Sequence, residues 1–192
     1  MVKVTVTETD LELSDGRTLH MYDATAAQAG NGLAVVWHHG TPNLGAPPEP
    51  LFAAAARYGI RWISYDRPGY GGSTRSPGRD LASAAADVSA VADALGLDRF
   101  AVMGHSGGGA HALAAAALLP ERVLGVVCAA APAPFGADGL DWFAGMGEQS
   151  EQELRASARG RAALEDFLAA GEFDPELFTR PTTPRWRASG PG

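Results

Sequence analysis

Residues Phe100–His111, FAVMGHSGGGAH, hold an apolar run, a serine set among glycines and the beginning of a helical pattern. Within them, Gly104-His105-Ser106-Gly107-Gly108 fits G-x-S-x-G, the sharp strand-to-helix turn that presents a serine hydroxyl clear of a sheet. Such a turn holds its serine in a strained backbone conformation, so small residues two positions before and after it avoid clashes. The N-terminus of the helix that follows favours negative charge at the hydroxyl. Ser106 is therefore the candidate nucleophile. A serine alone is a weak nucleophile and needs a base to take its proton, so the surrounding chain has to be read for one.

Outward from this turn, strand and helix patterns alternate. Leu33–His39, LAVVWHH, is a nearly continuous apolar run, as expected for a strand covered on both faces of a parallel sheet. A helix over about Pro50–Tyr58, the strand RWISYD and a glycine- and proline-rich loop, DRPGYGGSTRSPG, follow. An amphipathic helix spans about Asp80–Leu95, with Leu81, Val88, Val91, Ala92 and Leu95 on one side. The strand RFAVMG, a helix over Ser106–Leu119 and the strand VLGVVCAAA complete the series. Before it, Val2, Val4 and Val6 alternate with Lys3, Thr5 and Thr7, and SDG separates them from a second strand around Arg17–Asp23. These two read as an antiparallel pair with one solvated face. The pattern predicts an α/β fold, a doubly wound and mostly parallel sheet.

A second loop bears on the chemistry. HHGTPN, His38–Asn43, follows the strand that begins at Leu33. Acyl transfer needs two backbone N–H donors aimed at the developing oxyanion. The residue after the nucleophile supplies one, here Gly107, and the loop after an earlier strand supplies the other. Thr41 is the candidate donor there, with Gly40 allowing the turn.

Together these segments resemble the α/β-hydrolase superfamily. The resemblance covers about Val2–Pro132 and rests on HHGTPN, YDRPGYGGS (Tyr65–Ser73), GHSGGG at the serine and LLPERVLGVV after its helix. It implies an eight-stranded, mostly parallel sheet with a helical cap inserted after the sixth strand. Members resembling haloalkane dehalogenases and epoxide hydrolases carry an aspartate at the turn, so Ser106 favours acyl transfer through an acyl-serine. The resemblance thus implies a serine hydrolase acting on a small, ester-like acyl substrate, with no metal and no organic cofactor.

On this reading residues 1–132 are the N-terminal part of the hydrolase core and residues 133–179 a helical cap segment, in which Trp142, Phe143 and Met146 supply apolar contacts. Residues 180–192 are an aberrant or linker-like tail. A shifted reading frame would turn Arg180–Pro191, RPTTPRWRASGP, into an acid-led helical sequence, so a frameshift is the expected origin of that tail. The core counts six strands and lacks the last two. Its sixth strand leaves an unpaired apolar edge, through which self-association is expected.

The base is harder to place. In this superfamily the order is serine, acid, histidine. The five histidines are His20, His38, His39, His105 and His111. Only His111 follows Ser106, and five helical positions rotate it by roughly 140° away from the serine. His105 packs beside the turn, and His39 is the one substitute within reach, although its position suits bracing its own loop. Asp66, at a strand end, suits tying the DRPGYGG loop. The alternative to an active hydrolase is therefore a catalytically inactive fragment that binds a ligand or partner.

Other classes find little support. Gly107–Ala112 formally fits G-x-G-x-x-A, but it lies inside the helix and lacks the acid expected about 20 residues later. No phosphate-loop motif is present. A net charge of −7 argues against nucleic-acid binding. The single cysteine, Cys128, excludes a cysteine-cluster zinc site. No apolar run is long enough for a membrane span, and a cytoplasmic protein is expected.

Overall fold

The structure, a computed structural model, describes residues 4–26 and 32–171. Val2, Lys3 and the tail 180–192 lie outside the described residues. Residues 1–135 and 136–192 form two compact units, each described by itself.

The first unit is a six-stranded sheet in the order β1-β2-β4-β3-β5-β6. β1 (Val4–Glu12) and β2 (Thr18–Ala26) pair antiparallel from Val4 opposite Ala26 to Glu12 opposite Thr18. Gly16, at φ 82°, and the Asp15 carboxylate, which accepts from the Arg17 N–H at 3.0 Å, close the turn between them. β2 runs beyond the expected Asp23 because Ala24, Thr25 and Ala26 continue its pairing with Val6, Thr5 and Val4 of β1, and its other edge, Met21–Ala24, lies antiparallel to β4 (Arg61–Tyr65). β1 departs from the expected half-buried pattern. Its residues Thr5–Asp10 are exposed on both faces, and only Val4 and Leu11 reach the cores.

β3 (Ala34–His38), β4, β5 (Phe100–His105) and β6 (Val123–Ala129) are parallel. Side-chain alternation sends Val36, Ile63, Tyr65 and Val102 to one face. There they meet Val88, Val91 and Ala92 of α2 (Leu81–Ala94) and Ala112 and Ala115 of α3 (Gly107–Leu118). Val35 and Trp62 face the other way, against Ala55 of α1 (Phe52–Tyr58). Helices on both faces explain why β3 reads as an unbroken apolar run.

α2 begins where the sequence places it, because Asp80 accepts from the Ser83 N–H at 2.8 Å and Ser83 Oγ accepts from the Asp80 N–H at 3.1 Å. Leu81 is not on the buried side as expected. It is 47% exposed, and Ala84 and Ala85 take the core positions of the first turns. β6 is the outer strand, and its Leu124, Val126 and Val127 are exposed.

The second unit contains α4 (Glu148–Ala158) and α5 (Arg161–Ala170), separated by Gly160 at φ 113°. Salt bridges at i,i+4 spacing, Glu151–Arg155 and Arg161–Glu165, brace the two helices at 2.7 Å each. Trp142 and Phe143 meet edge to face at 5.1 Å, and the Arg155 guanidinium lies 3.9 Å over the Phe143 ring. Among the described residues no helix is long and apolar enough to cross a membrane.

Candidate active site

The residues singled out by sequence meet at the C-terminal ends of β3, β4 and β5. Parallel pairing sets His38, the last residue of β3, opposite Gly104 of β5. The chain then reverses at Ser106, whose φ of 51° and ψ of −128° lie outside the regions open to ordinary L-residues. Its N–H donates to the Ala129 carbonyl and its own carbonyl accepts from Gly109 N–H, both at 2.9 Å, pinning the turn between β6 and α3.

The flanking glycines are sterically required. A Cβ on Gly104 would overlap the Gly108 carbonyl oxygen and lie 2.7 Å from Gly109 Cα. A Cβ on Gly108 would overlap the His38 carbonyl oxygen and lie 2.7 Å from that of His39. The start of α3 is thus pressed against the end of β3, which brings the two loops of interest together. A Cβ on Gly40 would stand 3.1 Å from Ser106 Cβ, and one on Gly107 would stand 3.9 Å from Thr41 Oγ1. Among the described residues neither the Thr41 nor the Gly107 N–H makes a hydrogen bond. The geometry therefore brings the Gly40–Thr41 loop against Ser106 and Gly107.

Asp66, at the end of β4, is committed to the neighbouring loops. It accepts from Gly45 N–H at 2.7 Å, Gly72 N–H at 2.9 Å and the Tyr22 hydroxyl at 3.3 Å. Ser73 Oγ donates to its carbonyl at 2.6 Å. Burial, with the Asp66 charge beside it, pushes the Tyr22 hydroxyl up to about 12.

Each histidine has an environment of its own. His39 Nδ1–H donates to the Gly40 carbonyl at 2.8 Å and its Nε2 accepts from the Arg67 N–H at 3.1 Å, so both nitrogens are engaged. His111 Nδ1–H donates to the Gly107 carbonyl at 2.9 Å. His38 is buried between Tyr65 and His111, and neither of its nitrogens has a partner. Burial above all, then neighbouring cationic groups, holds His38 down to about 3 and His39 and His111 to about 4. All three are neutral at pH 7. His105 is exposed and stacks on Trp37, with ring centroids 6.3 Å apart. His20 lies on β2 between Asp10, at 2.7 Å, and Glu8, at 3.1 Å. No histidine hydrogen-bonds the Ser106 hydroxyl.

A cavity of about 400 Å³ opens beside the Gly40 loop, walled by Trp37, Asn43, Leu44, Pro48 and His105. Among the described residues no cluster of His, Cys, Asp and Glu is arranged to hold a metal ion. The residue that sequence reading passed over is Arg67, which is 4% exposed and touches both His39 and His111. Nothing in DRPGYGG marks its arginine as buried.

Comparison with known proteins bears on this arrangement. The model of a family described as alpha/beta hydrolase fold matches residues 34–177. A non-heme chloroperoxidase of Streptomyces lividans is 39% identical over 106 residues, which are 54% of this chain and 38% of that protein. The chain thus spans well under half of that relative's length. Among solved structures, a hydrolase from Pseudomonas aeruginosa aligns with a TM-score of 0.63 and 23% identity, over 93% of this chain and 63% of the other. Epoxide Hydrolase A from Mycobacterium thermoresistibile aligns with a TM-score of 0.55 and 28% identity, over 65% of this chain and 39% of the other.

Proposed function

The chain belongs to the α/β-hydrolase fold family, and from that premise we propose that Ser106 is the nucleophile of an acyl-transfer hydrolase acting on a small, ester-like substrate. The observation that carries this reading is the conformation of Ser106, a non-glycine residue at φ 51° between a strand and a helix, with Gly40 against it. Backbone strain of this kind persists where the surroundings enforce it. On this reading the strain serves to present the hydroxyl to the Thr41 and Gly107 N–H groups.

In the reaction, Ser106 Oγ bonds to the ester carbonyl carbon while its proton passes to a base. The carbonyl oxygen takes the electron pair and accepts from the N–H groups of Thr41 and Gly107, with Gly40 shaping the turn. Collapse expels the alcohol, which recovers a proton, and water then cleaves the acyl-serine to the free acid. A serine at this position supports acyl chemistry over the alkyl-ester route, which needs a carboxylate nucleophile. The neighbouring cavity, with Trp37 and Leu44 in its wall, suits a small apolar acyl group.

A second reading rests on the histidines. None of the five hydrogen-bonds the serine hydroxyl, so on this reading the described residues hold the nucleophile and the oxyanion site without a histidine base. Turnover then requires a base that these histidines do not provide, and without one the chain is an inert binding module. A fluorophosphonate probe and p-nitrophenyl acetate separate the two. Labelling that is lost in Ser106→Ala supports the nucleophile, and sustained turnover refutes the inert reading. A chain that is folded yet unlabelled at Ser106 refutes acyl transfer.

A further inference from the structure

Arg67 is the first residue after Asp66 in the loop that leaves β4, and its guanidinium is enclosed by neutral groups. Its Nε donates to His39 Nε2 at 3.3 Å, alongside its backbone N–H. Its Nη2 donates to the Gly40 carbonyl at 3.4 Å and to Thr41 Oγ1 at 3.3 Å. On the opposite side, Nη1 lies 3.1 Å from His111 Nδ1 and 3.4 Å from Nε2, and of the two ring nitrogens it is Nε2 that can accept. That assignment follows from the tautomer, because His111 Nδ1 carries the proton it gives to Gly107. Tyr70 closes the remaining face, its ring 5.0 Å from the guanidinium carbon and its hydroxyl 3.1 Å from Thr41 Oγ1.

Among the described residues Arg67 makes no salt bridge. Burying a cation without a counter-ion costs several kcal/mol in general. A side chain that only filled space here would do so better as an apolar group. What the guanidinium provides, and an apolar group does not, is a rigid fork with donors pointing in separate directions. One branch reaches the loop carrying Thr41. The other reaches His111, which holds the carbonyl of Gly107.

We propose that Arg67 is a positioning residue of the oxyanion site, its fork tying the Gly40–Thr41 loop to the first turn of α3 so that the Thr41 and Gly107 N–H groups keep a fixed separation. The proposal rests on the acyl-transfer reading for its consequence, but the tie itself is a property of the fold. A donor pair that drifts apart stops fitting the tetrahedral oxygen, and loss of one such donor slows acyl chemistry by roughly a hundredfold or more. Partial misplacement therefore shows as a slower bond-forming step with reversible binding unchanged.

The test compares the wild-type chain with Arg67→Lys, Arg67→Met and His111→Leu. Phosphonylation of Ser106 by a fluorophosphonate is resolved into a binding constant and a maximal rate. Lysine keeps the charge without the fork, so the expected result is a maximal rate at least roughly tenfold lower in both Arg67 variants, with binding unaltered. A wild-type rate in Arg67→Lys, or in folded Arg67→Met, overturns the proposal. If Arg67→Met does not fold, Arg67→Lys and His111→Leu decide it.

Amide resonances supply a readout free of chemistry. In 1H–15N spectra, Arg67→Lys should move both the Thr41 and Gly107 peaks, and His111→Leu should move Thr41 across the site. A stationary Gly107 in the first variant, or a stationary Thr41 in the second, overturns the tie. If the folded wild-type chain is not labelled at all, the acyl-transfer reading fails, and the amide shifts alone judge the role of Arg67.

Discussion

Replacing Ser106 by glycine should make the protein more stable while removing its nucleophile. Ser106 sits at φ 51°, ψ −128°, and its side chain makes no capping hydrogen bond to α3, so the hydroxyl does not compensate for the strain. A non-glycine residue held in such a region stores about 1–3 kcal/mol. Glycine relieves this, but it also frees the unfolded chain, which offsets about 0.5–1 kcal/mol. The proper reference is Ser106→Ala, which removes the hydroxyl yet keeps the Cβ that causes the strain. Ser106→Gly should therefore exceed Ser106→Ala by about 0.5–2 kcal/mol, or about 2–6 °C in melting temperature for a chain of this size. Urea titration followed by circular dichroism measures the difference, and a fluorophosphonate probe should label neither variant. A glycine variant equal to or weaker than the alanine variant would refute the argument that the fold forces Ser106 into a strained turn.

The other predictions concern the same neighbourhood and its titrating groups. Gly108→Ala drives a Cβ into the His38 carbonyl, so it should cost about 1–3 kcal/mol in urea unfolding and abolish labelling, and a melt like that of the wild type would contradict the close contact of α3 with β3. His38, His39 and His111 stay neutral in the fold to about 3, 4 and 4, whereas in the unfolded chain they gain protons near about 6.5. The unfolded state thus binds more protons below about 6.5, and stability should be full above that pH and fall toward pH 4, by up to about 1.4 kcal/mol per pH unit for each histidine. Equal urea midpoints at pH 7 and pH 5 would rule out the neutral cluster. His20 works in the opposite direction: the Asp10 and Glu8 carboxylates raise its pKa, so its contribution is complete below about 6.5 and lost as pH rises through the folded value. His20→Gln should remove that decline above pH 6.5, and an unchanged profile would show that the pairs contribute nothing. Finally, added imidazole should accelerate labelling of Ser106 by acting as the base that the five histidines do not provide, and a rate independent of imidazole would imply another base within the chain.

How far the site could be read in advance depended on whether each relation was local. G-x-S-x-G is a covalent pattern whose meaning lies in sterics over five residues, and the contacts of Gly104 and Gly108 are what that pattern encodes. The approach of Gly40–Thr41 to Ser106–Gly107 was legible only through the family resemblance, whose strand order sets β3 beside β5, since apolar runs mark buried strands without saying which are neighbours. Leu81 was misjudged because an amphipathic stripe says which side of a helix faces inward, not how far along its length the sheet extends. Arg67 escaped for a different reason. Its neighbours His39, Thr41, Tyr70 and His111 come from three separate segments, and nothing in a loop sequence distinguishes a solvated arginine from one enclosed by them.

The distribution of these features separates two tasks that a hydrolytic site must combine. Fixing an oxyanion calls for rigid backbone donors, and on the proposed acyl-transfer reading that rigidity comes from the strained serine, the two obligatory glycines, Asp66 holding its loops and, as proposed, Arg67 tying the donors. Moving a proton calls for a group with a free nitrogen and a pKa near the working pH. Two buried histidines of the site fail that requirement because they hold the loops on either side of the serine. His39 and His111 spend their nitrogens on the Gly40 and Gly107 carbonyls and on Arg67, and their burial keeps them neutral to about 4. A histidine that steadies an oxyanion loop from within the core is thereby removed from proton transfer. If Ser106 is the nucleophile proposed, its base is a group other than these two, since no described histidine hydrogen-bonds its hydroxyl.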